Sequence, residues 1–332
     1  MFNLRLQISK NRDLLLKILP LIAFVVPLAW LFILDSGSFE SMWKGRTFQL
    51  FFIWLIALEL FLDWEKIQIK KTLKISAAQI LVLIVTISLP TIYVIFSNYL
   101  NFNTAITNWA LQSNIEWANS MPLSIEYLVF AGLFCLIAGV FFGFRELKAF
   151  FVPTFFLALV GILYTIDNVF PYGQFTPFQI FVPTTTAIAA IVLGLLGYNT
   201  NIVYEQNSLQ GNMPVLTAID PVSGISSSFK IAWPCAGIES FLIFTVITLL
   251  FLKRMHFSWK SKVGIFIFGA VITFIINVLR VVNIFLIDMK GVNIEAFHFY
   301  YGPLVAIAWI VSYPLIILGV QKILDKRKTK SN

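Results

Sequence analysis

The sequence predicts an all-α polytopic membrane protein, and three observations lead to that fold class. Apolar residues make up 59% of the 332-residue chain and charged residues only 12%, which leaves too little polar surface to cover a water-soluble domain. The apolar residues fall into long runs, and most Lys and Arg residues cluster between those runs. We expect about eight transmembrane helices, one interfacial or re-entrant helix and a small extracytoplasmic β-ribbon.

Nine apolar runs are candidate helices, and several reach the roughly 20 residues that a bilayer-crossing helix needs. They are 14–34, 47–62, 75–96, 125–144, 149–166, 180–197, 236–252, 263–287 and 302–320. The first run follows basic residues, as a signal peptide would, but it is too long and no small-x-small cleavage pattern follows it. We therefore expect the first run to be a spanning helix.

The basic residues predict the orientation of these helices. Of the 24 Lys and Arg residues, 19 lie before residue 18, in 63–74, in 145–148, in 253–262 or after 320. Loops rich in Lys and Arg stay in the cytoplasm, so both termini are expected there, with the chain crossing the cytoplasmic membrane several times. The net charge of +8 is then a topology signal and a contact with anionic headgroups, and it does not indicate nucleic-acid binding.

Two cytoplasmic termini require an even number of crossings, so one of the nine runs does not cross. The segments on both sides of 178–198 have few basic residues, and this run contains Pro183 and three consecutive threonines. We expect it to be interfacial or re-entrant on the outer face.

In the outer loop 97–124, Trp109 and Trp117 have a spacing compatible with one face of an interfacial helix. Alternating residues and turn signals in 199–233 predict the β-ribbon.

The chain is expected to contain three parts. Residues 1–145 form an N-terminal group of transmembrane helices that includes the outer loop, 146–320 form the core that carries the chemistry, and 321–332 form a basic cytoplasmic tail.

Cys135 lies in the middle of the fourth run, where we expect it to be packed and inert. Two cysteines and no cluster of His, Asp and Glu argue against a metal site, and no cofactor is expected.

Cys235 is the first candidate for chemistry, because it lies where a polar segment turns into an apolar run. Pro234 suits the first position of a helix, so Cys235 is expected in the first helical turn. There the helix dipole and the unpaired N–H groups favour a thiolate. The alternative is a small residue packed at a helix start.

Arg280 is the second candidate, because an ionisable residue at membrane depth is costly unless it is paired or functional. Asn277 precedes it by one turn on the same face. Snorkelling of the guanidinium to the headgroups is the alternative, although it leaves the neighbouring asparagine unexplained. Glu239 follows Cys235 by four residues, so we expect it on the same helical face, either orienting Arg280 or His298 or acting as a buried partner of Arg280.

His298 lies in an outer loop before the last run and could act as a general acid or base, although such a histidine is more often an ordinary interface residue. The predicted topology places Cys235, Arg280 and His298 on the same outer side. A thiol, an imidazole and a fixed cation are the groups that acyl transfer by a cysteine needs.

Three motifs carry a family resemblance. Pro234-Cys-Ala-Gly-Ile-Glu-Ser240, Asn277-Val-Leu-Arg-Val281 and His298-Phe-Tyr-Tyr-Gly302 resemble, in that order, the motifs of the exosortase/archaeosortase family of membrane transpeptidases. Ala236 departs from the family's usual Ser or Thr after the cysteine, and this variant is more similar to the archaeal branches. The resemblance implies that Cys235 is the nucleophile, His298 the acid and base, and Arg280 the residue that stabilises the oxyanion or the thiolate.

The resemblance also implies the substrates. Exosortases act on exported proteins whose C-terminal signal consists of a short motif, an apolar helix and a basic end, and they pass the new C-terminus to a membrane lipid or another surface acceptor. Two other functions fit the same residues. One is a transporter or channel in which Arg280 binds an anion in a cavity, and the other is an assembly scaffold that does not need Cys235.

Overall fold

The protein is known here from a computed structural model, which describes residues 2–40, 44–65, 67, 77–170, 175, 179–207, 211–255, 257–294, 297 and 302–331. Each of the nine predicted apolar runs forms a helix. The helices in chain order are α1 (Phe2–Leu34), α2 (Gly37–Glu40), α3 (Thr47–Leu62), α4 (Ala77–Tyr99), α5 (Phe102–Gln112), α6 (Met121–Phe141), α7 (Phe151–Val169), α8 (Phe181–Leu195), α9 (Ile238–Arg254), α10 (Trp259–Met289) and α11 (Gly302–Ser331). The strands are β1 (Asn199–Asn207), β2 (Gly211–Ile219) and β3 (Ser226–Lys230).

Several of these helices have the length and composition of membrane spans. Within the described residues, five are long and apolar enough to cross a bilayer: α1, α4, α6 with the short turn before it, α7 and α10. Apolar stretches in α3, α8, α9 and α11 are shorter than 18 residues. The predicted all-α membrane fold is thus confirmed in outline, while the number of eight crossings stays a prediction.

The chain divides into two compact units, Met1–Val169 and Phe170–Asn332. In the first unit, phenylalanines from α1, α3 and α6 form the centre of the core. The rings of Phe24, Phe52, Phe130 and Phe134 are fully buried and meet edge to face, with centroids 5.2–5.7 Å apart. Such T-shaped pairs stabilise the packing beyond the area they bury. The predicted boundaries at 145 and 320 stay predictions.

A helix is present in the loop 97–124, but its tryptophans are arranged differently from the prediction. Helix α5 ends at Gln112, and Asn114 has a φ of 54°, a left-handed conformation that stops the helix. Trp117 therefore lies beyond α5 and cannot share its face with Trp109. The prediction of one helical face for these two residues was wrong.

The second unit contains the predicted β-ribbon as a three-stranded antiparallel sheet in the order β1-β2-β3. The Asp220 carboxylate closes the turn between β2 and β3 by accepting bonds from the backbone N–H of Val222 and the hydroxyl of Ser223. These two bonds, the hydroxyl first, lower the pKa of Asp220. The sheet packs on α10 through Phe229 and Phe285, whose ring centroids are 5.1 Å apart.

Helix α8, the run expected not to cross, packs against α10 and the sheet. Its side chains Val182, Thr185, Thr186 and Ala189 are buried, so one face of this apolar helix is used for protein packing. Its expected interfacial or re-entrant position stays a prediction.

Helices α9, α10 and α11 pack around Gly269. Trp309 of α11 donates a hydrogen bond from Nε1 to the Thr273 hydroxyl at 3.1 Å, and the Tyr313 hydroxyl donates to the backbone carbonyl of Ile265 at 2.6 Å. The Tyr313 ring and the Phe244 ring of α9 are 5.7 Å apart between centroids. A glycine is needed at 269 because both rings close over its backbone.

Replacement of Gly269 by alanine tests this packing. The added Cβ would lie 2.5 Å from Phe244 Cζ and 2.6 Å from Tyr313 Cε1, so the rings must move. We expect Gly269→Ala to lower the free energy of unfolding by about 1–3 kcal/mol, measured as thermal unfolding in detergent. Gly264→Ala in the same helix is the matched control, since no heavy atom lies within 4 Å of its Cβ. Equal stability of the two variants would contradict this packing.

Candidate active site

Cys235 lies in a single 3₁₀ turn, Trp233–Ala236, that joins the sheet to α9. The backbone N–H of Ile231 donates to the carbonyl of Pro214 at 2.9 Å and extends the pairing of β3 with β2. Trp233 is 1% exposed and fixes the start of the turn. The backbone N–H of Cys235 donates to the carbonyl of Ala232 at 3.0 Å. The backbone of the cysteine is thus held by the sheet on its N-terminal side.

The structure corrects the predicted position of Cys235 relative to the helix. Gly237 has a φ of 90° and is the N-cap of α9, which begins at Ile238. Cys235 therefore precedes the helix, and the prediction that it occupies the first helical turn was wrong. The reason is a left-handed glycine, which a sequence pattern alone does not show.

The same break affects the interpretation of Glu239. Since α9 starts after Cys235, the two residues do not belong to one helix, and the argument that they share a helical face was wrong. The side chain of Glu239 lies outside the described part of the structure. Its role as an orienting or pairing group stays a prediction.

Asn277 of α10 directly contacts the 3₁₀ turn Trp233–Ala236, which we call the cysteine turn. Its Nδ2 donates a hydrogen bond to the backbone carbonyl of Cys235 at 3.0 Å, and the side chain is 1% exposed. A Cβ built on Gly237 would lie 2.5 Å from Cγ of Asn277. The glycine is therefore required twice, for its left-handed φ and for the close approach of the amide.

Arg280 lies three residues after Asn277 on α10, which is about 4.5 Å along the helix axis. Its side chain is partly buried. The fold thus brings two of the three sequence motifs to one corner of the second unit, with Asn277 against the cysteine turn and Arg280 one helical turn further on. His298, the predicted acid and base, lies outside the described residues.

An apolar cavity of about 380 Å³ begins one residue away from Cys235. Its walls come from α8, the cysteine turn, α9 and α10, and include Phe181, Gly237, Ile238, Phe241, Val271 and Phe274. Ala270, Phe274 and Asn277 follow each other at intervals of four and three residues, so they form one stripe on α10. The stripe is apolar along the cavity and becomes polar at the cysteine turn.

Sequence reasoning missed Gly237 and the cavity. The sequence shows a glycine directly before an apolar run, where a left-handed conformation is tolerated, but it does not show that this conformation is used. The cavity had no comparable signal, since its rings come from three different helices. Neither Cys135 nor Cys235 forms a disulfide.

Comparison with known families decides among the functions that these residues allow. The family described as transmembrane exosortase matches the chain over residues 43–314, which includes all three motifs. The chain belongs to the exosortase family. It is therefore a multi-pass membrane protein and a cysteine peptidase or transpeptidase of protein sorting, a class that acts on exported proteins with C-terminal sorting signals. No curated protein and no solved structure matches the chain.

The contact between Gly237 and Asn277 predicts a sharp response to substitution in this exosortase. We expect Gly237→Ala to reduce processing of substrate at least tenfold, because the new Cβ displaces the amide that holds the Cys235 carbonyl. The measurement is the rate of cleavage of a membrane-anchored precursor in cells, normalised to enzyme level.

Gly197→Ala is the matched control for this substitution. Gly197 has a φ of 96° but no heavy atom within 4 Å of its Cβ, so it shares the backbone strain and lacks the clash. If both variants lose activity equally, strain alone accounts for the effect and the Asn277 contact is not important.

Proposed function

We propose that the protein cleaves C-terminal sorting signals of exported proteins and transfers the new C-terminus to a surface or lipid acceptor, with Cys235 as the nucleophile. The observation that supports this most is the hydrogen bond from Asn277 to the Cys235 carbonyl. It joins the motif that carries the thiol to the motif that carries Arg280, and it fixes the backbone from which the thiol projects.

In the first step of this proposal, the Cys235 thiolate attacks a backbone carbonyl carbon of the substrate. The carbonyl π electrons move to oxygen, and the guanidinium of Arg280 donates hydrogen bonds to that oxyanion. The C–N bond then breaks, and His298 protonates the departing amine. The product is a thioester on Cys235, and the apolar signal peptide leaves with a new amino terminus.

In the second step, His298 removes a proton from the hydroxyl or amine of the acceptor, which attacks the thioester carbonyl. Arg280 stabilises the second oxyanion, and the C–S bond breaks to return the thiolate. Water as the acceptor gives simple proteolysis, so the acceptor that reaches the thioester first decides between hydrolysis and transfer.

The apolar cavity supplies a reason for an apolar segment in the substrate. Its described lining is almost entirely apolar and reaches Ala236 and Gly237, next to the nucleophile. An apolar side chain from the substrate helix can fill it and place the preceding peptide bond beside Cys235. Burial of such a side chain contributes about 1.5–3 kcal/mol, which helps to hold the peptide bond in place during attack.

Substitution of the nucleophile tests the proposal. We expect Cys235→Ser to abolish cleavage of a precursor that carries the sorting signal, because a hydroxyl at this position lacks a thiolate's nucleophilicity near neutral pH. The measurement is the ratio of precursor to processed protein on immunoblots, together with mass-spectrometric detection of a substrate thioester on the wild-type protein.

Cys135→Ser is the matched control, since Cys135 lies in α6 of the other unit, and it should process normally. Arg280→Gln and His298→Gln should lose cleavage in the same assay. Normal processing by Cys235→Ser at equal expression would refute the covalent mechanism and favour a function without catalysis.

The active site is proposed to face away from the cytoplasm, in accordance with the distribution of Lys and Arg. A membrane-impermeant maleimide added to intact cells should then label Cys235, while Cys235→Ser gives the background from Cys135. Labelling of Cys235 only after the membrane is opened would reverse the proposed orientation.

A further inference from the structure

A polar cavity of about 490 Å³ lies in the first unit. It is formed where α1 and α4 end and where α5 and α6 begin. Its volume is within the range of about 300–1,000 Å³ that small-molecule sites occupy. Apart from Pro122 and Leu123, its neutral lining carries amides and hydroxyls, including those of Asn98, Asn103, Thr104, Thr107, Asn119 and Ser120.

Lys44 and Arg46 also line this cavity, and both are engaged by carboxylates. Nζ of Lys44 is 2.9 Å from Asp167 and lies 4.0 Å from the centroid of the Trp117 ring. Burial lowers the pKa of Lys44, against the opposing effect of its bond to Asp167. Lys44 has a φ of 52°, a conformation that a lysine adopts rarely and that persists where the surrounding structure enforces it.

Arg46 forms a two-pronged pair with the buried Glu126, through Nε at 2.8 Å and Nη2 at 3.0 Å. Its Nη1 donates to Asp35 at 3.1 Å and to the hydroxyl of Ser38 at 2.9 Å. Two cations therefore meet three carboxylates, Asp35, Glu126 and Asp167, of which only Asp35 also lines the cavity. An anionic ligand would have to compete with these carboxylates for Lys44 and Arg46.

The amide and hydroxyl side chains that line the cavity indicate which kind of ligand it can bind. The side chains of Asn103, Thr104, Thr107 and Asn119 line the cavity and are half-buried or exposed. Within the described part of the chain they form no hydrogen bond with protein groups, so they are open to a ligand. An amide presents both donors and acceptors, and a hydroxyl is both. These groups match a ligand with many hydroxyls and no charge.

We propose that this cavity binds a neutral saccharide, either free or as the headgroup of a glycolipid. Saccharide hydroxyls both donate and accept, so they can pair with the amides and hydroxyls of α5 and α6 at once. Lys44 and Arg46 are already paired with carboxylates, so an uncharged ligand fits the cavity better than an anion. This site does not depend on the proposed transpeptidase mechanism, because none of its residues belongs to the cysteine turn or to α10.

The experiment is saturation-transfer NMR on the full-length protein in phosphatidylcholine nanodiscs. The probes are methyl glucoside, methyl galactoside, methyl mannoside, N-acetylglucosamine, maltose and lactose at millimolar concentration. We expect transfer to at least one of them. Asn103→Ala and Thr107→Val should each weaken that binding about three- to tenfold, the effect of one lost neutral hydrogen bond. Asn108→Ala in the same helix is the matched control and should bind normally.

The source of the saccharide is distinguished by adding galactosyl or glucosyl diacylglycerol to the nanodiscs. Loss of the signal from the free sugar assigns the site to a glycolipid headgroup, and an unchanged signal assigns it to a free saccharide. Thermal unfolding of each variant separates lost binding from lost folding. Absence of transfer to every probe, displacement of the sugar by inorganic phosphate, or wild-type binding by correctly folded Asn103→Ala and Thr107→Val would overturn the proposal.

Discussion

The hydrogen bond from Asn277 to the Cys235 carbonyl is the interaction on which the candidate active site depends. It joins a helix interior to a turn whose N-terminal side is held by the sheet. A neutral hydrogen bond contributes only about 1 kcal/mol to stability. This bond is therefore important because it fixes the position of the cysteine turn. The amide is almost fully buried, and it can approach the turn this closely because Gly237 has no Cβ. The thiol therefore projects from a backbone whose place relative to Arg280 is defined by one helix.

The sequence predicted the elements of the fold well because hydrophobic periodicity is a local property. Each apolar run became a helix, and alternation in 199–233 became the three-stranded sheet. Errors arose where a single residue changes the direction of the chain. Gly237 ends the 3₁₀ turn and Asn114 follows the end of α5, both at positive φ. The sequence shows that glycine and asparagine, which tolerate a left-handed conformation, stand at these two positions. It does not show that the conformation is used.

The candidate site could be predicted only as a set of motifs. The charges that set the topology are spread along the chain, so they suggested a common side for Cys235 and Arg280. They contained no information about the contact between Asn277 and Gly237, which depends on the depth at which α10 passes the turn. The apolar cavity was equally hidden, since Phe181, Phe241 and Phe274 come from separate helices. Contacts between distant elements are set by packing, and one sequence does not specify them.

The position of Arg280 in the fold, more than its charge, is the reason that we propose it as the cation of the reaction. Five basic residues lie outside the predicted cytoplasmic clusters: Lys44, Arg46, Lys230, Arg280 and Lys290. Carboxylates hold three of them, with Lys44 on Asp167, Arg46 on Glu126 and Asp35, and Lys230 on Glu205 at 2.6 Å. Lys290 is exposed and follows the end of α10. Arg280 differs from these four because it lies one helical turn from the amide that contacts the Cys235 carbonyl. The oxyanion that we propose beside Cys235 needs a cation whose position is already fixed, and α10 carries both Arg280 and the Asn277 amide that contacts the turn.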